Sequence, residues 1–251
     1  MGKTDKWYNL RVPFGSQETL DGSVSLFRIL PFDALLQMLC EEANYVVKTS
    51  KWEDVYENFI LKESVLKGES VIDLRDWGNA LYGQCWTRRL SSDAMWRIYS
   101  PDKKSVRIKT RLSKLQEMTR PGDGNTFVGR VRYFSQGDIE RGIETLPALT
   151  DEKLKSLVIQ SLFTKRNSFS HEAEYRVIYE ADAKSDDLTS SALPFSIAPL
   201  DFIENIYFDP RADNSYVARC QNILTESFKY PKDRIHKSSL YSFNPQTIIL
   251  K

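Results

Sequence analysis

The chain has 251 residues, of which 41% are hydrophobic and 27% charged, and its formal net charge is +1 at pH 7. This composition is typical of a folded globular protein, and it excludes extended disorder and overall electrostatic attraction to a polyanion. No apolar run approaches the roughly 18 to 20 residues of a membrane helix, so we expect no membrane association.

The N-terminus and the cysteines indicate a compartment. The first residues lack the apolar segment of a signal peptide, and 1–22 are predicted to form a loosely held N-terminal arm. Cys40, Cys85 and Cys220 are too widely spaced for a disulfide framework or a paired metal-ligand motif. We therefore predict a cytoplasmic protein without a metal site.

The predicted elements follow one another without a regular strand–helix repeat. Val24 to Leu30 has the pattern of a strand, and Pro31 suits the first turn of the next helix. Thr150 and Asp213 are predicted to begin two later helices. Further strands are predicted at 45–49, 81–87, 127–134, 172–179 and 203–208, a half-exposed strand around 106–108, and helices from Ser91 or Ser92 through Tyr99 and over 112–118. Short strands mixed with single helices favour one α+β domain over 23–251, with a mixed or antiparallel central sheet and flanking helices.

The sharpest local feature is Glu172-Ala173-Glu174. On a strand, alternate residues share a face, so the two carboxylates are predicted to lie side by side. Such a pair can divide the roles of base and charge stabiliser. The alternative is a solvent-facing strand edge, with the glutamates paired to Lys165, Arg166 or Arg176.

Arg28 lies in an otherwise apolar predicted strand. A buried guanidinium needs a partner, which is either a carboxylate of the fold or the phosphate of a ligand.

Two aromatic residues, Trp96 and Tyr99, are spaced to share one helical face. They either belong to the core or line a pocket for a flat ring. Cys85, on the preceding predicted strand, has no neighbouring histidine in sequence and is predicted to be a buried, unreactive thiol.

The stretch from 103 to 132 is basic, with nine lysines and arginines against two acidic residues. It is either a surface for phosphates or a solvated face balanced by acids elsewhere. We predict that strand alternation and helical spacing divide its charges over two faces. The sequence contains no nucleotide-binding glycine motif and no nucleophile elbow.

Six motifs in order resemble a bacterial domain-of-unknown-function family, numbered twenty-nine seventy-one. The resemblance spans about 24 to 240. Ile98 departs from the histidine that family members often carry there, and C-W-T replaces the more usual C-F-S. The motifs are Phe27-Arg28, W-x-D-x-x-E-N from Trp52, C-W-T from Cys85, M-W-x-x-Y from Met95, K-x-x-x-F-x-x-E-x-E-Y-R from Lys165 and I-Y-F-D-P-R from Ile206.

This family resembles proteins from phage-defence and toxin-like settings, and its motif order is similar to that of mono-ADP-ribosyltransferases of the Arg-Ser-Glu type. The resemblance implies an ADP-ribosyltransferase-like fold that consumes NAD as a substrate without a metal. Glu174 would stabilise the oxocarbenium ion, Glu172 would orient or deprotonate the acceptor, and Thr87 would fix Glu174 by a hydrogen bond.

The same resemblance implies a cofactor-binding set. Arg28 would bind the diphosphate of NAD, and Trp96 or Tyr99 would stack on a ring. The acceptor, protein or nucleic acid, stays open, and an antitoxin or defence-system partner is implied.

Two other classes of function are open from the residues. One is a nucleic-acid-binding protein that uses the 103–132 stretch, or a nuclease that holds Mg²⁺ with Asp54, Glu57, Glu172 and Glu174. The other is a non-catalytic sensor or interaction domain of a defence system, in which the glutamates form a buried ion network.

Overall fold

The computed structural model describes residues 21–67, 70–90, 92–118, 120, 124–144, 150–182, 186–243 and 245. Almost all of the predicted N-terminal arm lies outside these residues. The chain divides into two compact units, which are described separately. The first unit comprises 1–26, 43–88 and 111–197, and the second comprises 27–42, 89–110 and 198–251. One domain over 23–251 stays a prediction. None of the described helices is long and apolar enough to cross a membrane.

Thirteen strands are numbered in chain order. They are β1 (Ser25–Pro31), β2 (Ala43–Lys48), β3 (Ser64–Lys67), β4 (Ser70–Asp73), β5 (Leu81–Thr87), β6 (Ser105–Arg111), β7 (Asn125–Arg130), β8 (Arg132–Phe134), β9 (Thr164–Arg166), β10 (Glu174–Glu180), β11 (Ala192–Ser196), β12 (Asn205–Phe208) and β13 (Ile235–Lys237).

Eight α-helices and five short 3-10 segments complete the described elements. The helices are α1 (Phe32–Glu41), α2 (Leu74–Gly78), α3 (Asp93–Tyr99), α4 (Leu112–Glu117), α5 (Gln136–Glu144), α6 (Asp151–Ser161), α7 (Pro199–Phe202) and α8 (Asn214–Phe228). The 3-10 segments are Thr49–Lys51, Phe59–Lys62, Asn167–Glu172, Asp186–Thr189 and Lys232–Arg234.

The first unit is built on an antiparallel sheet with the order β11-β2-β5-β10-β7. Strand β10 pairs along its length with β5 and with β7, and all seven of its residues are buried. Ile178 and Tyr179, which are consecutive residues of β10, pack into different apolar clusters, because successive side chains of a strand point to opposite faces of the sheet. Two core layers therefore enclose this strand, where an unpaired charge would be costly.

The second unit contains a sheet with the order β1-β6-β12-β13, in which residues 27–31 of β1 take part. Strands β6 and β12 are antiparallel, whereas β12 and β13 are parallel. On one face, Phe208 packs against Phe32 of α1 and Tyr216 of α8, with ring centroids 6.0 Å and 6.5 Å apart. Mixed pairing with flanking helices confirms the predicted α+β class.

The helix starts were predicted well because their signals are local. Thr150 accepts from the N–H of Lys153 at the start of α6, and Asp213 accepts from the first N–H groups of α8. At α3 the cap is Ser92, which accepts from the N–H of Met95.

Three strand predictions need correction. The predicted strand over 127–134 is two strands, β7 and β8, because the chain leaves β10 and pairs with β9 instead. The predicted strand over 172–179 begins only at Glu174. The half-exposed strand around 106–108 is a buried strand, since Val106, Arg107 and Ile108 are all buried in β6.

Candidate active site

The first unit brings together the three predicted catalytic residues, Thr87, Glu172 and Glu174. Thr87 ends β5 and lies opposite Glu174, the first residue of β10. The Thr87 hydroxyl donates to the backbone carbonyl of Glu172. Thr87 thereby holds the turn that precedes Glu174, and the expected bond from Thr87 to the Glu174 carboxylate stays a prediction.

Glu172 and Glu174 were predicted to alternate along one strand, but only Glu174 lies on a strand. Glu172 is the last residue of the 3-10 segment Asn167–Glu172, and Ala173 follows with a left-handed backbone, φ 46° and ψ 55°. A residue with a Cβ adopts this conformation at a cost of about 1 kcal/mol. The two carboxylates nevertheless meet, because this turn directs both toward one lysine.

That lysine is Lys165, and it lies in a group that we call the carboxylate cluster: Glu57, Lys165, Glu172, Glu174 and Arg176. The Nζ of Lys165 lies 2.5 Å from Glu172, 2.8 Å from Glu57 and 3.3 Å from Glu174. Nη2 of Arg176 lies 2.7 Å from Glu174 and 2.8 Å from Glu57. The predicted partners Lys165 and Arg176 are correct, but the solvent-facing strand edge is wrong.

The carboxylate cluster is buried and contains more carboxylates than cations. Its side chains are between 0% and 8% exposed. Three carboxylates face two cations, which leaves a formal charge of −1. Although burial acts to lower it, the pKa of Lys165 is raised above its usual range because Glu174 and Glu57 stabilise the ammonium. The cluster therefore holds its two cations charged.

Aromatic rings cover the two cations. The ring centroid of Trp52 lies 4.5 Å from the guanidinium carbon of Arg176, and that of Phe169 lies 4.6 Å from Nζ of Lys165. The hydroxyl of Tyr133 accepts from the N–H of Glu174 at 2.8 Å. Burial raises the pKa of Tyr133 to about 12. Rings and hydrogen bonds thus fix the Glu174 backbone and shield the charges from water.

Cys85 lies beside this cluster on β5, opposite Arg176. Desolvation, with a further contribution from the Glu174 carboxylate, raises the pKa of its thiol to about 12. The thiol is therefore protonated near neutral pH, which agrees with the predicted lack of reactivity. The predicted burial is wrong, because Cys85 is half-buried.

The carboxylates proposed for a nuclease are bound by the protein's own cations. Asp54 pairs with Arg166 at 2.9 Å, and the three glutamates pair with Lys165 and Arg176. Among the described residues, no group of three acidic, histidine or cysteine side chains is arranged for a metal ion.

Sequence reasoning missed the central place of Glu57 and Lys165. From the sequence, Glu57 is only a metal-ligand candidate, and Lys165 only a possible partner at a strand edge. Their contact joins residues more than a hundred positions apart, so no local pattern reveals it. The only available signal was that both stand in the motifs that carried the family resemblance.

The remaining predicted site residues lie in the second unit. Arg28 is half-buried on β1. On α3, Trp96 is 0% exposed whereas Tyr99 is 40% exposed, so the two rings differ in environment. A common aromatic wall, and the convergence of these three residues with Glu174, stay predictions.

Comparisons with known proteins give a family match and a set of similar structures. Residues 95–177 match the family described as protein of unknown function (DUF2971), which confirms the motif-based resemblance over that stretch. None of the curated proteins matches the chain. Structures of Thermus sp. 2.9 DarT are similar at a TM-score of 0.38. The complex with NAD+ shares 12% identity over 86% of this chain and 96% of that chain. The complex with ADP-ribosylated ssDNA shares 11% over 86% and 94%.

Proposed function

We propose that the protein is an NAD-consuming enzyme, an ADP-ribosyltransferase or NAD glycohydrolase, with Glu174 as its catalytic carboxylate. The observation that carries this proposal is the buried carboxylate cluster, which has one carboxylate more than it has cations. A buried excess of negative charge stabilises a positive charge that develops beside it.

NAD cleavage develops such a charge. The bond between the ribose C1′ and the nicotinamide nitrogen breaks, its electron pair leaves with neutral nicotinamide, and the ribose becomes an oxocarbenium ion. Water or an acceptor nucleophile then attacks C1′ and loses a proton. Paired carboxylates support the same kind of cation in glycoside hydrolysis.

The hydrogen bonds of Glu174 suit the role of positioning the ribose. Its Oε2 accepts from Arg176 Nε at 3.0 Å and from Nη2 at 2.7 Å. Its Oε1 accepts from Lys165 at 3.3 Å, a long bond. Oε1 is therefore the less tightly bonded oxygen and the one that would accept from a ribose hydroxyl, while Arg176 holds the carboxylate in place.

Glu172 would orient or deprotonate the acceptor. Thr87 would position the turn between Glu172 and Glu174. Arg28 is proposed for the diphosphate, and Trp96 or Tyr99 for a ring. The proposal needs no metal. The proposed acceptor is a protein or a nucleic acid, and an antitoxin or defence-system partner is part of the proposal.

A second candidate is a non-catalytic interaction domain in which the cluster only stabilises the fold. The burial of all five side chains favours it, since an ion network without access needs no substrate. The two candidates differ in whether the charge of Glu174 is needed for turnover.

The test is release of nicotinamide from NAD by wild type and by Glu174→Gln. We expect the variant to lose about two to three decades in rate, because removal of one preorganised electrostatic group costs roughly 3 to 4 kcal/mol in the transition state. Glu180→Gln is the matched control: Glu180 ends the same strand, is buried and pairs with Lys155. Equal turnover in wild type and Glu174→Gln, or no turnover with water or any acceptor offered, would favour the second candidate.

A further inference from the structure

Arg107 occupies the centre of the second unit's sheet. It lies on β6, is 5% exposed, and is the cross-strand partner of Tyr207 on β12. Its guanidinium carbon lies 4.6 Å from the ring centroid of Tyr207, 5.1 Å from that of Phe27 and 5.8 Å from that of Trp96. We call Arg107 and these three rings the Arg107 cage.

The guanidinium donors of Arg107 are only partly used. Nη1 donates to the backbone carbonyl of Leu90. Nε is buried without an acceptor, and no residue in the described parts of the chain accepts from Nη2 or forms an ion pair with Arg107. Nε and Nη2 form the edge of a guanidinium that binds an oxyanion through two parallel hydrogen bonds.

A second buried donor in the cage also lacks an acceptor. The indole Nε1–H of Trp96 is without a hydrogen-bond partner, although the side chain is 0% exposed. Buried donors are rarely left unpaired, because each one then loses its hydration without compensation. Two such donors on neighbouring side chains point to an acceptor supplied from outside the chain.

The contrast with Arg176 shows what a structural arginine looks like in this protein. Arg176 is also buried under an aromatic ring, but its donors reach Glu57, Glu174 and the carbonyl of Leu162. Arg107 has only the carbonyl of Leu90. Desolvation consequently lowers the pKa of Arg107 to about 10, whereas the pKa of Arg176 is raised.

We propose that the Arg107 cage binds the phosphate group of a small ligand. The Nε–Nη2 edge would donate two hydrogen bonds and Trp96 Nε1 a third. A carboxylate has two oxygens in one plane, and the arginine edge occupies both. A tetrahedral phosphate has a further oxygen, which would accept from Nε1 of Trp96, the ring 5.8 Å from the guanidinium carbon. Leu90, whose carbonyl accepts from Arg107, is 63% exposed, and Tyr207 is half-buried.

This inference does not use the chemistry assigned to Glu174, because every residue of the cage belongs to the second unit. Trp96 is also in the set proposed for NAD, but there it would act through its ring and here through its Nε1–H. It holds whether or not the protein consumes NAD.

The experiment is a titration of the full chain with inorganic phosphate, pyrophosphate and ADP, at matched ionic strength, followed by calorimetry and by the thermal midpoint. Acetate serves as the carboxylate control. Inorganic phosphate tests the shared group, and tighter binding of ADP than of pyrophosphate would identify a nucleotide as the source. We expect saturable binding of phosphate and weaker or absent binding of acetate.

The variants separate a site from general charge. Arg107→Met is expected to weaken phosphate binding about tenfold or more, and Arg107→Lys to weaken it as well, because an ammonium lacks the two-donor edge. Lys109→Gln is the matched control, since Lys109 lies two residues along the same strand and is already paired with Glu204 at 2.8 Å. Its binding should equal that of wild type.

The thermal midpoint without ligand gives a second readout. A methionine in the Arg107 cage removes a buried unpaired charge, so the midpoint of Arg107→Met should be equal to or above that of wild type. The proposal is overturned if wild type shows no saturable phosphate binding, if Lys109→Gln weakens binding as much as Arg107→Met, or if Arg107→Lys binds phosphate as tightly as wild type.

Discussion

Nη2 of Arg176 lies 2.7 Å from Oε2 of Glu174, two residues earlier on the same strand. Residues two apart on a strand share a face, so the sequence E-Y-R places the carboxylate and the guanidinium side by side. The same guanidinium reaches Glu57, whose carboxylate also contacts Lys165. Arg176 is thereby a positioning residue for the carboxylate that we propose as catalytic.

Glu174→Gln should destabilise the fold only moderately. Glu57 and Glu172 would still balance the two cations, so no buried charge is left without a partner. The amide N–H₂ of the new side chain would face either Lys165 or Arg176, which are also donors. We expect a loss of about 1 to 3 kcal/mol in the free energy of unfolding, the cost of a mispaired buried polar group, measured by urea unfolding. A loss above about 5 kcal/mol would show that the network cannot tolerate the change, and the turnover test would then need a milder variant.

Lys165→Met should be more damaging than Glu174→Gln. It leaves three buried carboxylates with one guanidinium, and breaking a buried ion network by removing one partner costs roughly 3 to 5 kcal/mol. Lys155→Met is the control, because Lys155 is 46% exposed and pairs with Glu180 at the other end of β10. An exposed partner of this kind contributes about 0 to 1 kcal/mol. Similar midpoints for the two variants would contradict the structural importance of Lys165.

The turn at Ala173 can be tested with two substitutions. Ala173 has a φ of 46°, which suits glycine and disfavours a β-branched residue. Ala173→Gly should change the free energy of unfolding by less than about 1 kcal/mol, because relief of backbone strain and the larger entropy of the unfolded chain oppose each other. Ala173→Val should destabilise the protein by more than about 1 kcal/mol and reduce nicotinamide release. Equal stability of the two variants would exclude a left-handed turn at this residue.

Local signals predicted the caps of α6 and α8, since Thr150 and Asp213 act on N–H groups within three residues. The candidate pair Glu172 and Glu174 was also found from the sequence, but its geometry was not, because a left-handed turn at Ala173 separates the two residues and its hydrogen bond from Thr87 comes from 85 residues away.

Arg107 shows the opposite limit of sequence reasoning. Alternation with Val106 and Ile108 predicted a basic residue on an exposed face, yet Arg107 is buried beneath rings from other parts of the chain. Burial of the second face of a strand depends on what packs there, which the strand's own sequence does not encode.

Cys85 should lower stability in alkaline solution. Its folded pKa is raised to about 12 from an ordinary value of 9.0, so between these values the folded state binds more protons than the unfolded state. The contribution is fully present below pH 9 and is lost as pH rises toward 12. We expect the free energy of unfolding to fall less steeply between pH 9 and 10.5 in Cys85→Ala than in wild type.

Thiol labelling provides an independent check of the same residue. At pH 8, exposed Cys40 should react with an alkylating reagent much faster than Cys85, as mass spectrometry of labelled peptides would measure. Labelling of Cys85 as fast as Cys40 would contradict its protonated state.

Gly83 lies on β5, next to the ring of Trp52. A Cβ on Gly83 would lie 2.5 Å from the Trp52 ring and 2.9 Å from a methyl group of Ile178. Gly83→Ala must therefore displace the ring that covers Arg176. We expect a loss of about 1 to 3 kcal/mol in the free energy of unfolding, as for other overpacked cores, together with a lower rate of nicotinamide release because Arg176 holds Glu174.

A double-mutant cycle shows whether Trp52 transmits this effect. If it does, Gly83→Ala should cost much less in a Trp52→Ala background, where the ring is absent, and the interaction energy should exceed about 0.5 kcal/mol. Gly78→Ala is the control, since its Cβ would meet Leu61 at an ordinary 3.4 Å. Additive effects of Gly83→Ala and Trp52→Ala would mean that Ile178, the other neighbour of the new methyl group, carries the strain, and the aromatic cover over Arg176 would then have no part in holding Glu174.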